Sequence, residues 1–171
     1  MRLPFAYLFY CVVALMLAAC TSNGPLPPAE PLKLTLTINA SSSVNPDDQK
    51  RPAPILVRVY ELKNADTFNQ ADFYSLQDKD KTVLGDDLAA RDQFLLRPGE
   101  SKTLVRNANE ASTTLGVIAA YRDLPNAVWR ATWPLPARPT AAWYRRTPKL
   151  KLTVDAGSSS ITISDAESRN K

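Results

Sequence analysis

Neighbouring carboxylates are the clearest candidates for chemistry in this sequence. They occur at Asp47-Asp48, at Asp78 and Asp80, and at Asp86-Asp87. Two carboxylates can serve as the acid and the base of a glycosidase without help from histidine. All three pairs lie in segments typical of turns or helix starts, where aspartate is favoured for capping and for turn geometry. We therefore interpret the pairs as structural and predict no catalytic residue.

The rest of the composition also argues against an enzyme. The chain has no histidine, so the usual general base, the usual zinc ligand and every Ser-His-Asp or Cys-His arrangement are missing. Its five glycines do not form a phosphate-binding spacing such as GxGxxG. The net charge of +4 is too small to indicate nucleic acid. We expect no metal, no nucleotide and no small-molecule substrate.

A cysteine near the N-terminus is a candidate for covalent modification rather than catalysis. After Arg2, residues 5–19 form an uncharged apolar run, and its last three residues with the following cysteine read Leu17-Ala18-Ala19-Cys20. The run is short for a transmembrane helix and has the organisation of an export signal. The four residues resemble the bacterial lipobox, whose cysteine receives diacylglycerol before cleavage ahead of it. We expect residues 1–19 to be removed and Cys20 to carry diacylglycerol and an N-acyl chain, with no other cofactor.

The alternative is an ordinary cleavage site followed by an incidental cysteine. The other cysteine, Cys11, lies inside the segment that processing discards, so the mature chain has one unpaired thiol. Acylation accounts for such a thiol in an exported protein, and several acyl chains together give durable anchoring. Lipoprotein sorting retains proteins with Asp after the cysteine at the inner membrane, so Thr21 favours the outer membrane.

The residues after the cysteine predict a tether and one folded domain. Residues 20–31 carry the lipid and four prolines, which favour an extended conformation, and residues 21–31 then reach about 35 Å. Residues 32–164 alternate between apolar and polar residues in about eight short segments, and residues 165–171 form a polar tail. The pattern predicts an all-β fold, a two-sheet antiparallel β-sandwich. The expected strands are 32–40, 55–62, 94–96, 103–106, 114–121, 128–133, 149–154 and 160–163.

The alternation is interrupted over residues 65–88, which predict a helical insertion. Thr67 and Gln70 have the spacing of a capping box, and a second helical stretch is expected around Lys81 to Leu88. A turn at residues 97–100 predicts a hairpin. Trp129 and Trp133, four residues apart in a strand, should lie on one face in the core.

Two segments are candidates for binding. Residues 41–54, SSSVNPDDQKRPAP, form a long polar loop between the first two strands, predicted to be exposed. In it Val44 would offer an apolar contact, and its charged residues an orienting pattern. The second segment, Arg138 to Lys151, is basic and aromatic and would dock a partner or lipid head groups. The alternative for both segments is plain solvent exposure, with Trp143 covering one end of the sandwich.

Four segments in this order resemble the TssJ family of type VI secretion lipoproteins: LTLTINASSSVN, PILVRVYELKNADTFNQADFYSL, LGDDLAARDQFLLRPGE and LGVIAAYRDLPNAVWRATWPL. The resemblance implies a transthyretin-like β-sandwich at the inner face of the outer membrane. It also implies binding to the periplasmic domain of an inner-membrane partner, TssM, through the loop between the first two strands. The implied binding residues are Ser43, Val44, Asn45, Pro46, Asp47, Asp48, Gln49, Lys50 and Arg51.

Two other hypotheses belong to different classes. One is another periplasmic binding lipoprotein, such as a pilotin or a carrier of a small apolar ligand, which would need a deep apolar cavity between the sheets. The other is an enzyme on a transthyretin-like scaffold. The ring-opening hydrolases of that scaffold rely on histidines, which this sequence lacks.

Overall fold

The computed structural model describes residues 29–138 and 147–166 of the 171-residue chain. The expected signal segment, Cys20, residues 21–28, the middle of the basic aromatic segment and the end of the tail lie outside these ranges. Within them, no helix has the length and apolar character needed to cross a membrane.

Within residues 29–138 and 147–166, eight strands and two α-helices build the domain. The helices are α1 (Asp66–Gln70) and α2 (Phe73–Leu84), with short 3-10 turns at Gly85–Asp87 and Leu124–Asn126. The strands are β1 (Lys33–Ala40), β2 (Ile55–Leu62), β3 (Leu88–Leu96), β4 (Ser101–Asn107), β5 (Thr114–Ala119), β6 (Arg130–Pro134), β7 (Lys149–Ala156) and β8 (Ile161–Asp165).

The strands form two four-stranded sheets, which confirms the predicted sandwich. Sheet I has the order β4-β1-β7-β8 and sheet II the order β3-β2-β5-β6. Neighbouring strands are antiparallel except for β1 and β7, which run parallel in full register. One pair departs from the antiparallel pattern: β1 and β7, the two central strands of sheet I, come from distant segments of the chain and run parallel.

Alternating side chains of the central strands fill the space between the sheets. On β1, Leu34, Leu36 and Ile38 are fully buried, as the alternation predicts, and Val57 and Val59 of β2 oppose them from sheet II. Burial of each such side chain stabilises the fold by about 1.5–3 kcal/mol. The interior of the sandwich is thus one continuous apolar cluster.

A second cluster lies on the outer face of sheet II, under the helical insertion. Tyr60 and Leu62 of β2 point into it and meet Phe68 of α1. This explains why β2 is apolar on both faces. Gly116 of β5 is required for the fit, because a Cβ at this position would lie 2.9 Å from the Phe68 ring.

The helical insertion begins and ends differently from the sequence prediction. The N-cap of α1 is Ala65, which makes no side-chain capping bond, and Thr67 lies inside the helix with its hydroxyl donating to Asp87 at 3.0 Å. The predicted capping box is therefore wrong. The second helical stretch is the end of α2 and a 3-10 turn, and Leu88 already belongs to β3.

The two tryptophans lie at the margin of the core. Trp129 and Trp133 both pack against the inner cluster, on the same side as predicted, but each is only half-buried. The Trp129 ring also meets Phe73 of the insertion edge-on, with ring centroids 5.4 Å apart. Trp129 therefore links the sandwich to its helical cover.

An ion network joins the two sheets. The Arg106 guanidinium on β4 lies 2.6 Å from Glu61 Oε1 on β2 and 2.6 Å from Asp92 Oδ2 on β3. Glu61 is only 1% exposed, and its Oε2 accepts from the Asn109 backbone N–H at 2.6 Å and from the Ser112 hydroxyl at 3.2 Å. Arg106 therefore supplies the positive charge that a buried carboxylate requires.

The sandwich has two ends of different composition. At one end, the loop pole, lie the connections 41–54, 97–100, 120–129 and 157–160. At the other end, the tether pole, the chain enters β1 at Lys33, which pairs with Lys149 and Asn107. The eight residues of β1 separate the poles by about 26 Å.

Candidate functional site

The predicted binding loop, residues 41–54, closes the loop pole and is partly internal. Val44 is fully buried in the inner cluster, and Ala53 is 6% exposed. The Val44 N–H donates to Ser41 O, and the Ala53 N–H to Val44 O, each at 3.1 Å. The prediction that Val44 contacts a partner is therefore wrong, because its side chain completes the apolar interior.

Asn45 connects the loop to the β5–β6 connection. Its backbone has a φ of 50° and its side chain is 4% exposed. The side-chain amide donates to Pro54 O at 2.9 Å and accepts from the Arg122 backbone N–H at 2.8 Å. Asparagine tolerates this left-handed conformation better than most residues. Asn45, predicted as a contact residue, is thus a structural joint of the loop.

Beyond the joint, Asp47 organises a tight turn over residues 47–51. Its Oδ1 accepts from the backbone N–H of Gln49 and of Arg51, each at 2.9 Å. Its Oδ2 lies 2.7 Å from the Arg51 guanidinium. The Arg51 side chain and backbone bonds hold the pKa of Asp47 below its usual value. At the turn, Lys50 has a φ of 64°.

The tip of this turn faces solvent. Ser43, Asp48, Gln49, Lys50 and Arg51 are exposed, and Pro46 and Asp47 are half-buried. Of the nine residues that the sequence suggested, the structure therefore places seven at the surface. The tip displays charges of both signs on a backbone fixed by hydrogen bonds, which is suited to recognising a complementary polar surface.

A polar cavity of about 580 Å³ lies beside the turn. It is bounded by the turn, by the β5–β6 connection and by the β7–β8 turn. Its lining includes Pro46, Asp47, Lys50, Tyr121, Asp123, Asn126, Ser158 and Ser159. Sequence reasoning missed the last five, because only the strand pairing brings these separate connections together. Burial raises the pKa of Tyr121.

An apolar groove continues this surface toward the helical insertion. Phe73, Tyr74, Leu124, Pro125 and Trp129 line a space of about 370 Å³, and the groove shares Ala127 with the polar cavity. Tyr74 is 64% exposed and nearby Val128 is 59% exposed. Large exposed apolar side chains that cluster beside a polar surface are typical of protein interfaces.

The carboxylate pairs have structural roles elsewhere. Asp80, on the buried side of α2, lies 2.6 Å from Arg91 and 3.5 Å from Arg58. Asp87 accepts from Thr67. Over residues 29–138 and 147–166, no group of three histidine, cysteine or carboxylate side chains is arranged to hold a metal ion. The carboxylates Asp80 and Asp87 are thus held by internal ion pairs and hydrogen bonds.

Comparison with known proteins gives consistent matches over the folded domain. The family model described as type VI secretion lipoprotein, VasD, EvfM, TssJ, VC_A0113, matches residues 32–159. The crystal structure of the T6SS lipoprotein TssJ1 from Pseudomonas aeruginosa is 35% identical, with a TM-score of 0.71, over 79% of this chain and 96% of that chain.

The structure of Serratia marcescens Lip, a membrane-bound component of the type VI secretion system, is also 35% identical. Its TM-score is 0.71 over 79% of this chain and 97% of that one. A chain in the structure described as the T6SS protein TssM C-terminal domain from EAEC shares the fold at 22% identity, with a TM-score of 0.59 over 78% of this chain and 98% of that chain. No curated protein sequence matches.

Proposed function

This chain belongs to the type VI secretion lipoprotein family, TssJ, and we propose that it bridges two membranes, with its lipid in the outer membrane and its loop pole on TssM. The resemblance inferred from the sequence is confirmed by the family match. One observation carries the proposal: the chain enters at the tether pole, whereas the organised surface lies at the loop pole, about 26 Å away along β1.

The proposed anchor is Cys20, acylated after removal of residues 1–19. Family membership supports a lipoprotein, and Thr21 favours sorting to the outer membrane. The nine residues 20–28 can span at most about 32 Å even when fully extended. The domain then stays close to the inner leaflet, and the loop pole points into the periplasm, where a partner from the inner membrane arrives.

The proposed TssM-binding surface is the exposed tip, residues 46–51, with the neighbouring cavity and groove. The bonds of Asn45 and Asp47 fix the loop before binding, so little conformational entropy is lost when a partner docks. The exposed Tyr74 next to Trp129 offers an apolar anchor beside the charged tip. TssM is supported as the partner by the family and by the occurrence of this fold in a structure named for TssM.

A structural rather than catalytic role agrees with the commitment of Asp47, Asp80 and Asp87 to internal bonds. The carrier hypothesis is less well supported, because the inward-facing side chains of both sheets pack into one cluster. The cavity beside the turn is polar and lies at the surface of the loop pole.

Charge exchange at the tip tests the loop assignment. The variant Asp48→Lys/Lys50→Glu keeps the net charge, the buried Asn45 and the Asp47 bonds, but reverses the pattern presented to a partner. We expect its affinity for the purified TssM periplasmic domain to fall at least about tenfold, since misplaced charges at an interface oppose docking.

The matched control exchanges two exposed charges at the tether pole, Lys63→Glu/Glu110→Lys, and should bind within about twofold of the unsubstituted protein. Isothermal titration calorimetry measures both affinities, and thermal unfolding confirms that both variants fold. Unchanged binding by the tip variant would show that the loop is not the contact surface.

The anchor is tested by Cys20→Ser. We expect a soluble periplasmic protein that still binds TssM but no longer supports secretion, because the bridge has lost its outer-membrane end. The readouts are membrane fractionation, co-purification of TssM and release of a secreted substrate. Normal secretion by this soluble variant would refute the bridging role.

A further inference from the structure

Three lysines lie together on the outer face of sheet I at the tether pole. Lys33 of β1 pairs in register with Lys149 of β7, and Thr35 pairs with Lys151. Their neighbours along the strands, including Leu34 and Leu152, point inward, so the lysines share the opposite face. All three lysines are exposed. Adjacent strands are about 4.8 Å apart, which brings Lys33 and Lys149 side by side.

This placement is unfavourable for the isolated domain. Like charges directly opposite on adjacent strands repel. Within the described part of the chain, neither Lys33 nor Lys149 forms an ion pair. A carboxylate on this face, Asp155, lies at the other end of β7, where it accepts from Asn39 at 3.0 Å. The lysine pair therefore favours an external anionic surface.

The opposite side of the tether pole carries more carboxylates than cations, with the exposed Lys63 beside Asp87 as a cation there. Asp66 begins α1, and Asp86 and Asp87 lie in the 3-10 turn before β3, next to the covered face of sheet II. An anionic surface would repel this side while it attracts the lysines. The charge distribution thus selects one orientation of the domain.

The chain itself brings the lysines to a membrane. Lys33 opens the strand that follows the proposed tether, and the nine residues 20–28 can span at most about 32 Å. An acylated Cys20 would keep Lys33 within a few nanometres of the lipid head groups. At an anionic bilayer, each basic residue near the surface strengthens association about fivefold.

We propose that the lysine face, formed by Lys33, Lys149 and Lys151, docks on anionic phospholipid head groups of the leaflet that holds the chain's own lipid anchor. This inference rests on the proposed anchor. Docking holds the tether end of β1 and β7 at the bilayer and leaves the tip of residues 46–51 at the far end of β1, about 26 Å away, for the partner.

Energy transfer from the domain to the membrane tests the inference. The mature acylated chain has no free thiol, because Cys11 is removed and Cys20 is blocked, so Asn107→Cys places a single donor dye beside Lys33. The protein is reconstituted in vesicles that carry an acceptor dye on a head group. The vesicles consist of phosphatidylcholine, alone or with 30 mol% phosphatidylglycerol.

We expect higher transfer with phosphatidylglycerol and a return to the phosphatidylcholine value in Lys33→Gln/Lys149→Gln or at 0.5 M salt, where charges are screened. A matched control, Lys50→Gln/Arg97→Gln, removes two exposed charges from the loop pole and should keep the full effect. Transfer that is independent of phosphatidylglycerol, or an equal loss in the control, would overturn the inference.

Flotation of the same vesicles separates this inference from the proposed function. Acylated protein should float whether or not the lysines are present, and it should bind the TssM domain in either case. Failure of the protein to float would refute the proposed anchor. In that case, co-sedimentation with phosphatidylglycerol vesicles at low salt, compared between the unsubstituted protein and Lys33→Gln/Lys149→Gln, would still test the lysine face. Flotation without lysine dependence would refute the docking alone.

Discussion

Asn45 provides the sharpest test of the loop's architecture. It is 4% exposed, has a φ of 50°, and its amide makes two hydrogen bonds, to Pro54 O at 2.9 Å and from the Arg122 N–H at 2.8 Å. The substitution Asn45→Ala removes both bonds and leaves an alanine in the left-handed conformation, which it tolerates less well than asparagine. The loop would lose its connection to the β5–β6 segment.

The cost follows from these contacts. Each hydrogen bond contributes about 0.5–1.5 kcal/mol net, and the left-handed conformation costs alanine about 1 kcal/mol. The free energy of unfolding should therefore fall by about 2–4 kcal/mol. Asn45→Gly loses the same two bonds but adopts the positive φ without strain, so it should be about 1 kcal/mol more stable than the alanine variant.

Urea unfolding followed by tryptophan fluorescence measures these differences. With a slope of about 1–3 kcal/mol per molar urea, the Asn45→Ala midpoint should fall by about 1 M or more. The matched control is Asn69→Ala, at an exposed position of α1, which should change stability by less than about 0.5 kcal/mol. If Asn45→Ala unfolds like the control, the amide does not hold the loop and the reasoning fails.

Three other predictions address the rest of the molecule. Arg106→Leu should lower the free energy of unfolding, measured with urea, by about 3–5 kcal/mol because Glu61 loses its buried counter-charge. Adding Glu61→Leu should restore much of this loss. Equal instability of the single and the double variant would refute the prediction. Acid should loosen the loop turn, because the pKa of Asp47 in the folded protein lies below its unfolded value of about 3.9. The stability that the Asp47 carboxylate gives to the turn is therefore present above about pH 4 and is lost as the pH falls through the folded pKa. Hydrogen exchange of the backbone amides in the turn should then increase in acid. In Asp47→Asn the turn is already loosened, so its exchange should no longer depend on acid in this way. Identical pH profiles for the unsubstituted protein and Asp47→Asn would contradict the prediction. Gly116→Ala should destabilise the fold by about 1–3 kcal/mol through its contact with Phe68, and the smaller side chain of Phe68→Leu should lessen this cost, which thermal unfolding measures.

The strands were predictable where a local pattern encodes them. On β1, the alternation of Leu34, Leu36 and Ile38 predicts both the strand and its buried face. On β2, apolar residues on both faces predict a central strand over residues 55–62, the bounds that the structure has. The parallel pairing of β1 with β7 was not predictable in this way. It joins segments more than one hundred residues apart and leaves no short-range signal.

The loop pole was only partly predictable for the same reason. Val44 is one apolar residue in a polar stretch, so periodicity cannot reveal that it completes the core. The cavity depends on Tyr121, Asn126 and Ser159, which come from three unrelated positions in the sequence and meet only after the sheets form. Sequence showed that residues 41–54 were unusual, but not which of them face outward.

The position of β1 has a mechanical consequence for the proposed bridge. A load between the lipid at Cys20 and a partner on the loop would enter at Lys33 and leave at Ala40, and so act along the axis of this strand. From Lys33 to Asn39, every residue is paired on one side with β4 and on the other with β7. Because the load enters and leaves the same strand, the covalent backbone of β1 carries it, and the backbone hydrogen bonds, which run across the strand, hold β1 in the sheet from both sides. A central strand is therefore better suited than an edge strand to connect the tether to the binding loop.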